Sequence, residues 1–229
     1  RSPHRFAYPS ETKAEFLQQH AAVPLTLQEF AKAGCHYPIA FVGSPDNEFQ
    51  AVAITGLRNN ENLFVGKDGY WRAGYYVPAF VRAYPLCIAE VRDEEGKSSN
   101  ERLVCIAKQA LVSDGIELFD EAGEATQFWK EKERFLKEYE DARVWTQDLC
   151  RLLKAHGVLV PFAVRADMAN KEKYALTGMY RVDEALLGKL TSYQMRLLIK
   201  RGWMQGIYAH ILSLMHFQDL AGEVAPALH

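Results

Sequence analysis

Residues 62–86 read Asn-Leu-Phe-Val-Gly-Lys-Asp-Gly-Tyr-Trp-Arg-Ala-Gly-Tyr-Tyr-Val-Pro-Ala-Phe-Val-Arg-Ala-Tyr-Pro-Leu, and their reading decides the fold. Leu63, Phe64 and Val65 make a short strand-like run. Asp68-Gly69 is a strong hairpin signal, because both central residues of a type I′ turn need φ > 0, which glycine takes at no steric cost and Asp tolerates. Tyr70, Trp71, Tyr75 and Tyr76 follow on the return side, so one hairpin carries four large aromatics. Pro78 and Pro85 bracket a second apolar run, and each pushes its predecessor, Val77 or Tyr84, towards an extended conformation. Arg82 is the only charge between the two prolines. The plainer reading is a sheet with an aromatic core and one snorkelling arginine. The functional reading is a concave aromatic surface with a cation set into it, suited to a peptide or sugar ligand. The plainer one is preferred.

Outward from this stretch the chain divides by period. Residues 1–24 are mixed and punctuated by Pro3, Pro9 and Pro24, which reads as an arm. Thr26 with Glu29 is a capping-box pattern that starts a short helix ending at Gly34. Residues 38–43 and 50–55 are strand candidates before the hairpin, and 86–92 and 102–108 follow it, joined by a charged loop at 93–101. Strands this close, with no helix-length gap between them, pair mostly antiparallel. Near residue 125 the period changes to 3.6. Phe128, Phe135, Tyr139, Ala142, Trp145, Leu149, Leu152 and Leu153 form one helical stripe over 126–156, with Gly157 as its stop. A continuous helix and one broken near 141–146, with Thr146 capping the second half, both fit this pattern.

Two short strands are expected at 158–165 and 174–181. Asp183 then caps a short helix, and Thr191 with Gln194 makes a second capping box. The last helix is expected over 203–220, with Ile207, Ile211, Leu214 and Met215 along one side. The expected class is α+β, a mainly antiparallel sheet in the N-terminal half covered by C-terminal helices. The expected organisation is an arm over 1–24, one domain over 25–222 and a frayed tail over 223–229.

Composition narrows the function classes. The 229 residues are 48% hydrophobic and 24% charged, ordinary for a globular protein, and a net charge of -2 gives no field that would gather nucleic acid. No apolar run reaches the ~20 residues needed to cross a bilayer. The four cysteines, Cys35, Cys87, Cys105 and Cys150, share no C-x-x-C spacing and sit in apolar runs, as free thiols do. Cys87 and Cys105 fall where they could face one another on neighbouring strands. No signal peptide is visible, although the chain starts at Arg1 without methionine, and a cytoplasmic location is expected.

Chemistry-bearing motifs are few. There is no Gly-rich phosphate loop, no G-x-S-x-G and no H-E-x-x-H. Cys35 and His36 are adjacent, which on extended backbone points them to opposite faces and argues against a dyad. His210 and His216 lie six apart on a helix, too far around its axis to chelate one metal. His210 is read as a buried imidazole held by a polar partner. No cofactor and no metal are expected. Arg82, among Phe80, Val81 and Tyr84, must either pair with a carboxylate or reach a wet cleft, because an unpaired buried guanidinium is costly.

A series of short motifs in order resembles the bacterial SapC family: Tyr37-Pro38-Ile39, Gly56-Leu57-Arg58, Asn62-Leu63-Phe64-Val65, Asp68-Gly69-x-Trp71, Val77-Pro78-Ala79 and Arg82-x-Tyr84-Pro85. Leu118-Phe119-Asp120, Val182-Asp183-Glu184 and Tyr208-Ala209-His210 continue it, so the similarity runs from about Pro24 to Leu220. Ala83 departs from the pattern, since the family more often has a second arginine there. The resemblance implies a role in surface-layer or cell-surface protein assembly or transport, distinct from saposin and from the peptide-transporter permease of the same abbreviation. It implies a protein partner associated with the surface or outer membrane, and it carries over no catalytic residue.

Two function classes follow. In one, a non-enzymatic accessory protein presents the aromatic hairpin and the last helix to a protein partner. In the other, a cleft around Trp71, Tyr75, Arg82 and Tyr84 binds a peptide or glycan, or acts on it. Arg58, Asn62, Trp71, Tyr75, Arg82, Tyr84 and His210 are the candidate binding residues.

Overall fold

The computed structural model describes residues 5–8, 12–44, 47–58, 60–92, 98–112, 115–167 and 173–224. In chain order the strands are β1 (Arg5–Phe6), β2 (Ala22–Pro24), β3 (Ile39–Val42), β4 (Gln50–Ile54), β5 (Leu86–Arg92), β6 (Ser98–Ile106), β7 (Leu111–Val112), β8 (Ile116–Glu117), β9 (Leu159–Asp167) and β10 (Lys173–Val182). The helices are α1 (Phe30–Ala33), α2 (Ala79–Ala83), α3 (Gln127–Ala155), α4 (Glu184–Leu187), α5 (Ser192–Lys200), α6 (Trp203–Ser213) and α7 (Phe217–Val224). Every strand pairing among the described residues is antiparallel, and the class is α+β as expected.

The chain divides into two compact units. One comprises Arg1–Lys13 and Phe80–Asp141, the other Ala14–Ala79 and Ala142–His229. The larger unit holds a five-stranded sheet in the order β2-β4-β3-β10-β9. Two of its strands, β9 and β10, come from the C-terminal half, where strands are expected at 158–165 and 174–181, so the sheet is not confined to the N-terminal half. They complete the sheet because Met179 and Tyr180 pair with Val42 and Phe41. The β9–β10 ladder shifts register between Leu176 and Met179, and Gly178 takes φ 77° there, the left-handed conformation such a bulge requires. Val23, Ile39, Ala40, Phe41 and Ala53 are buried in this sheet. Against it lie α1 and α6, which approach closely. A Cβ on Gly206 of α6 would sit 2.0 Å from Leu27 Cδ1, and one on Gly34 would sit 2.7 Å from the Phe30 carbonyl and 3.1 Å from that of Ala209.

The smaller unit has a three-stranded sheet, β7-β1-β8, and the separate two-stranded ribbon β5–β6. Its core gathers Ala83, Leu86 and Leu136, with Ile88, Ile106, Trp129 and Phe135 around them. Leu86, Ile88 and Ile106 share one face of the ribbon, as the period of two demands.

Several local expectations change. The run between Pro78 and Pro85 is the short helix α2, not an extended segment. Proline restricts Val77 and Tyr84 only, and the five residues 79–83 between them are free to close one helical turn. Leu63–Val65 makes no strand, only a single bridge from Val65 to Trp71. The turn between them is not type I′, since Asp68 is not in the positive-φ region while Gly69 is, at φ 80°. Gly69 N–H donates to Gly66 O and Gly66 N–H to Tyr70 O, a three-residue loop whose last residue is left-handed.

Helix α3 is continuous through 141–146. Thr146 is buried inside it rather than capping, donating to Ala142 O and accepting from Leu27 N–H. The last helix is interrupted by a 3-10 turn over Leu214–His216. Its buried stripe is Trp203, Gly206, Ile207, His210 and Ser213, while Met215 is 68% exposed. The apolar count missed this rotation because two of the inward residues are polar. Part of the expected charged loop (93–97) and most of the tail (225–229) lie outside the described residues, although α7 itself runs to Val224.

Candidate functional site

In the larger unit the aromatic hairpin is built around Tyr37, which is fully buried. Its ring meets Phe64 edge-on at 4.6 Å between centroids and Trp71 at 6.1 Å. Trp71 Nε1–H donates to the Tyr37 hydroxyl at 2.9 Å, and that hydroxyl donates on to Tyr76 O. Tyr75 closes the group against Phe64 at 4.9 Å. Burial pushes the Tyr37 phenol well above its ordinary value, the bond from Trp71 opposes this, and Tyr75 and Tyr76 add to the rise. The cluster is thus a core whose polar tips are satisfied internally, and Trp71 is only 3% exposed.

A buried carboxylate ties the same hairpin to α1. Glu29 Oε2 accepts from the backbone N–H and the hydroxyl of Thr26, both at 2.8 Å, completing the capping box. Its other oxygen, Oε1, accepts from Ala79 N–H at 2.6 Å and from Tyr76 O–H at 3.2 Å. One acid therefore fixes the 3-10 turn over Leu27–Glu29 that leads into α1 and the chain leaving the hairpin. The capping box was legible in the sequence, but its second reach was not, because fifty residues separate Glu29 from Ala79.

His210 is fully buried on α6, and its ring stands between β3 and β10. Nδ1–H donates to Ile39 O at 2.8 Å, and Nε2 accepts from Val182 N–H at 3.1 Å. These two bonds fix the neutral tautomer. They also extend the β3–β10 ladder beyond its last backbone pairs, at Met179–Val42 and Tyr180–Phe41. Burial pushes the imidazole down to about 4, against the opposing bond to Ile39 and with the charge of Arg181 adding to the fall. Ser213 completes the arrangement, accepting from Ile39 N–H at 2.9 Å and donating to His210 O at 2.6 Å.

Asn62 is buried and joins the hairpin entry to a distant segment. Its amide donates to Leu17 O at 3.2 Å and its Oδ1 accepts from Phe64 N–H at 3.0 Å, which shapes the entry to the hairpin. The Arg58 side chain is 38% exposed, with Nη1 3.7 Å from Glu61 Oε1.

Arg82 and Tyr84 belong to the smaller unit. The Arg82 guanidinium lies over the Phe135 ring, 5.2 Å from its centroid, and its carbonyl accepts from Tyr8 O–H at 3.3 Å. The same unit contains a recess of about 330 Å³ lined by Ile88, Arg102, Val104, Glu133, Lys137, Glu140 and Asp141. Within it the buried Glu140 carboxylate lies 3.7 Å from Arg102 Nη1. None of the residues singled out from the sequence lines this recess. His210, Trp71, Tyr75, Asn62 and Arg58 fall in one unit, Arg82 and Tyr84 in the other.

The surface offers a different candidate. On α6 and the turn after it, Tyr208 is 45% exposed and Leu212 and Met215 are each 68% exposed. Steps of four and three residues put them on one stripe, opposite the buried Trp203, Ile207 and His210. On α5, Tyr193 and Ile199 are also exposed. The sequence signal for this surface was an α6 that is apolar nearly all round.

Among the described residues no helix is long and apolar enough to cross a membrane. The SapC family model matches residues 4–220, and the chain belongs to the SapC family. No curated protein and no solved structure matches it.

Proposed function

We propose, from membership of the SapC family and from the exposed apolar stripe of α6, that this chain is a non-catalytic accessory protein that holds a protein partner. The observation that carries the reading is Tyr208, Leu212 and Met215 side by side on a helix whose other face is already committed to the core. A helix apolar on both faces is ordinarily buried on both, so an open second face invites a protein surface. The partner class is a surface-layer or outer-membrane-associated protein, which is what the family resemblance implies. The same proposal places the chain in the cytoplasm, handing its partner on towards the envelope. The competing reading, a peptide- or glycan-binding cleft around Trp71 and Arg82, draws less support, because Trp71 has 3% of its surface open and its indole N–H is engaged by Tyr37.

The test is a photoreactive residue at position 212, expressed in the native host. One envelope-associated protein should be trapped on illumination. Adding Tyr208→Glu and Met215→Glu should abolish the adduct without moving the thermal midpoint, since both side chains are exposed. An adduct that survives both changes, or one lost only with Arg82→Ala, would overturn the assignment to α6.

A further inference from the structure

The ribbon β5–β6 sets two of the four cysteines opposite one another. Its register pairs Leu86 with Ile106, Cys87 with Cys105 and Ile88 with Val104. Leu86, Ile88 and Ile106 point into the core of the smaller unit, so the period of two turns Cys87 and Cys105 to the other face. Cys87 is exposed and Cys105 half-buried, and the two stand directly opposite one another in the ladder.

The ladder parity gives the spacing. Ala107 N–H donates to Pro85 O at 2.9 Å, which makes 85/107 a hydrogen-bonded pair and 87/105, two residues on, the next one. At such a pair the α-carbons are about 5.5 Å apart, inside the range a disulfide spans.

We propose that Cys87 and Cys105 form a thiol–disulfide pair that closes by exchange with a small-molecule disulfide and locks the β5–β6 ribbon. The exposed Cys87 thiolate attacks one sulfur of the small disulfide, forming a mixed disulfide and releasing one small thiolate. The Cys105 thiolate then attacks Cys87 Sγ and displaces the second small thiolate. Two protein thiols are oxidised, one small disulfide is reduced to two thiols, and the two protons pass to the departing thiolates. Burial, and then the neighbouring Cys105, raise the Cys87 thiol, which lowers its thiolate fraction at neutral pH. Cys35 is exposed but Cys105 is the partner across the ladder, and Cys150 is buried with its thiol pushed up to about 12.

The experiment uses the full chain, reduced and then equilibrated in glutathione buffers of rising disulfide content. After trapping with iodoacetamide, intact mass and a peptide map are read. The expected product takes up two fewer carbamidomethyl groups than the reduced control, carries the Cys87–Cys105 crosslink, and reopens with dithiothreitol. Amide exchange along 86–92 and 98–106 should slow by at least about tenfold on closure. Cys105→Ser should halt the reaction at a glutathione adduct on Cys87. A folded wild-type protein that stops at that adduct, or keeps all four thiols at the oxidising end, would overturn the proposal.

Discussion

Acidification isolates the role of His210. The imidazole is neutral, donates from Nδ1 to Ile39 O and accepts at Nε2 from Val182 N–H. Protonating Nε2 would set two donors against each other inside a site with no exposure. The folded value, about 4, therefore lies below the unfolded value of 6.5, and burial is the main cause. As pH falls the unfolded chain takes up the proton first. The stability contributed by the neutral ring is complete above about pH 6.5 and is lost progressively as pH falls towards about 4. At about 1.4 kcal/mol per unit, the whole window represents about 3 kcal/mol, and about 2 kcal/mol is gone by about pH 5. Urea unfolding of the wild type and His210→Gln at about pH 7.5 and about pH 5 gives the assay, because the shared carboxylate terms cancel in the difference. The wild type should lose about 2 kcal/mol more than the variant between the two conditions. A long-range nitrogen–proton spectrum of the wild type reads the ring directly, independently of whether the variant folds. It should show the Nδ1–H tautomer unchanged down to about pH 5. Equal pH losses in both proteins, or a ring that titrates near its ordinary value, would refute the argument.

Three further outcomes are expected. Glu29→Gln keeps the volume but faces an N–H₂ towards donors of Thr26, Tyr76 or Ala79, and should cost about 2–4 kcal/mol in urea unfolding; a cost under about 1 kcal/mol would show that the carboxylate does not organise the hairpin. Gly206→Ala drives a Cβ into the buried Leu27 side chain and should destabilise by about 1–3 kcal/mol, with thermal unfolding as the readout and an unchanged midpoint as the contrary result. Arg82→Ala removes the guanidinium from the Phe135 ring and should cost about 1 kcal/mol by chemical denaturation, with Arg82→Lys recovering part of it; full stability in the alanine variant would mean that the ring contact contributes nothing.

What the sequence disclosed about this fold divides along the range of the interactions. Both capping boxes, the Asp183 cap, the antiparallel pairing of β3 with β4 and the helical stripe of α3 depend on residues a few positions apart, and all were legible. The placement of β9 and β10 was not, because nothing local to Tyr180 specifies Phe41 as its partner. Thr146 shows the same limit at one residue. Its neighbours fit a helix start, and only the distant Leu27 N–H, which it satisfies from within α3, explains an inward hydroxyl there.

The aromatic part of the candidate site packs inward for a related reason. An aromatic-rich hairpin looks the same in sequence whether its rings face a ligand or one another. The deciding residue was Tyr37, whose hydroxyl accepts a hydrogen bond from the Trp71 indole N–H and closes the cluster from outside the hairpin. His210 shows the converse. Its polarity hid it from the apolar stripe of α6, yet its two backbone bonds turn that face inward and leave Tyr208, Leu212 and Met215 outward. The surface proposed for a partner is thus set by a buried polar contact. A change at His210 that rotates α6 should weaken partner capture even though the imidazole lies on the opposite side of the helix.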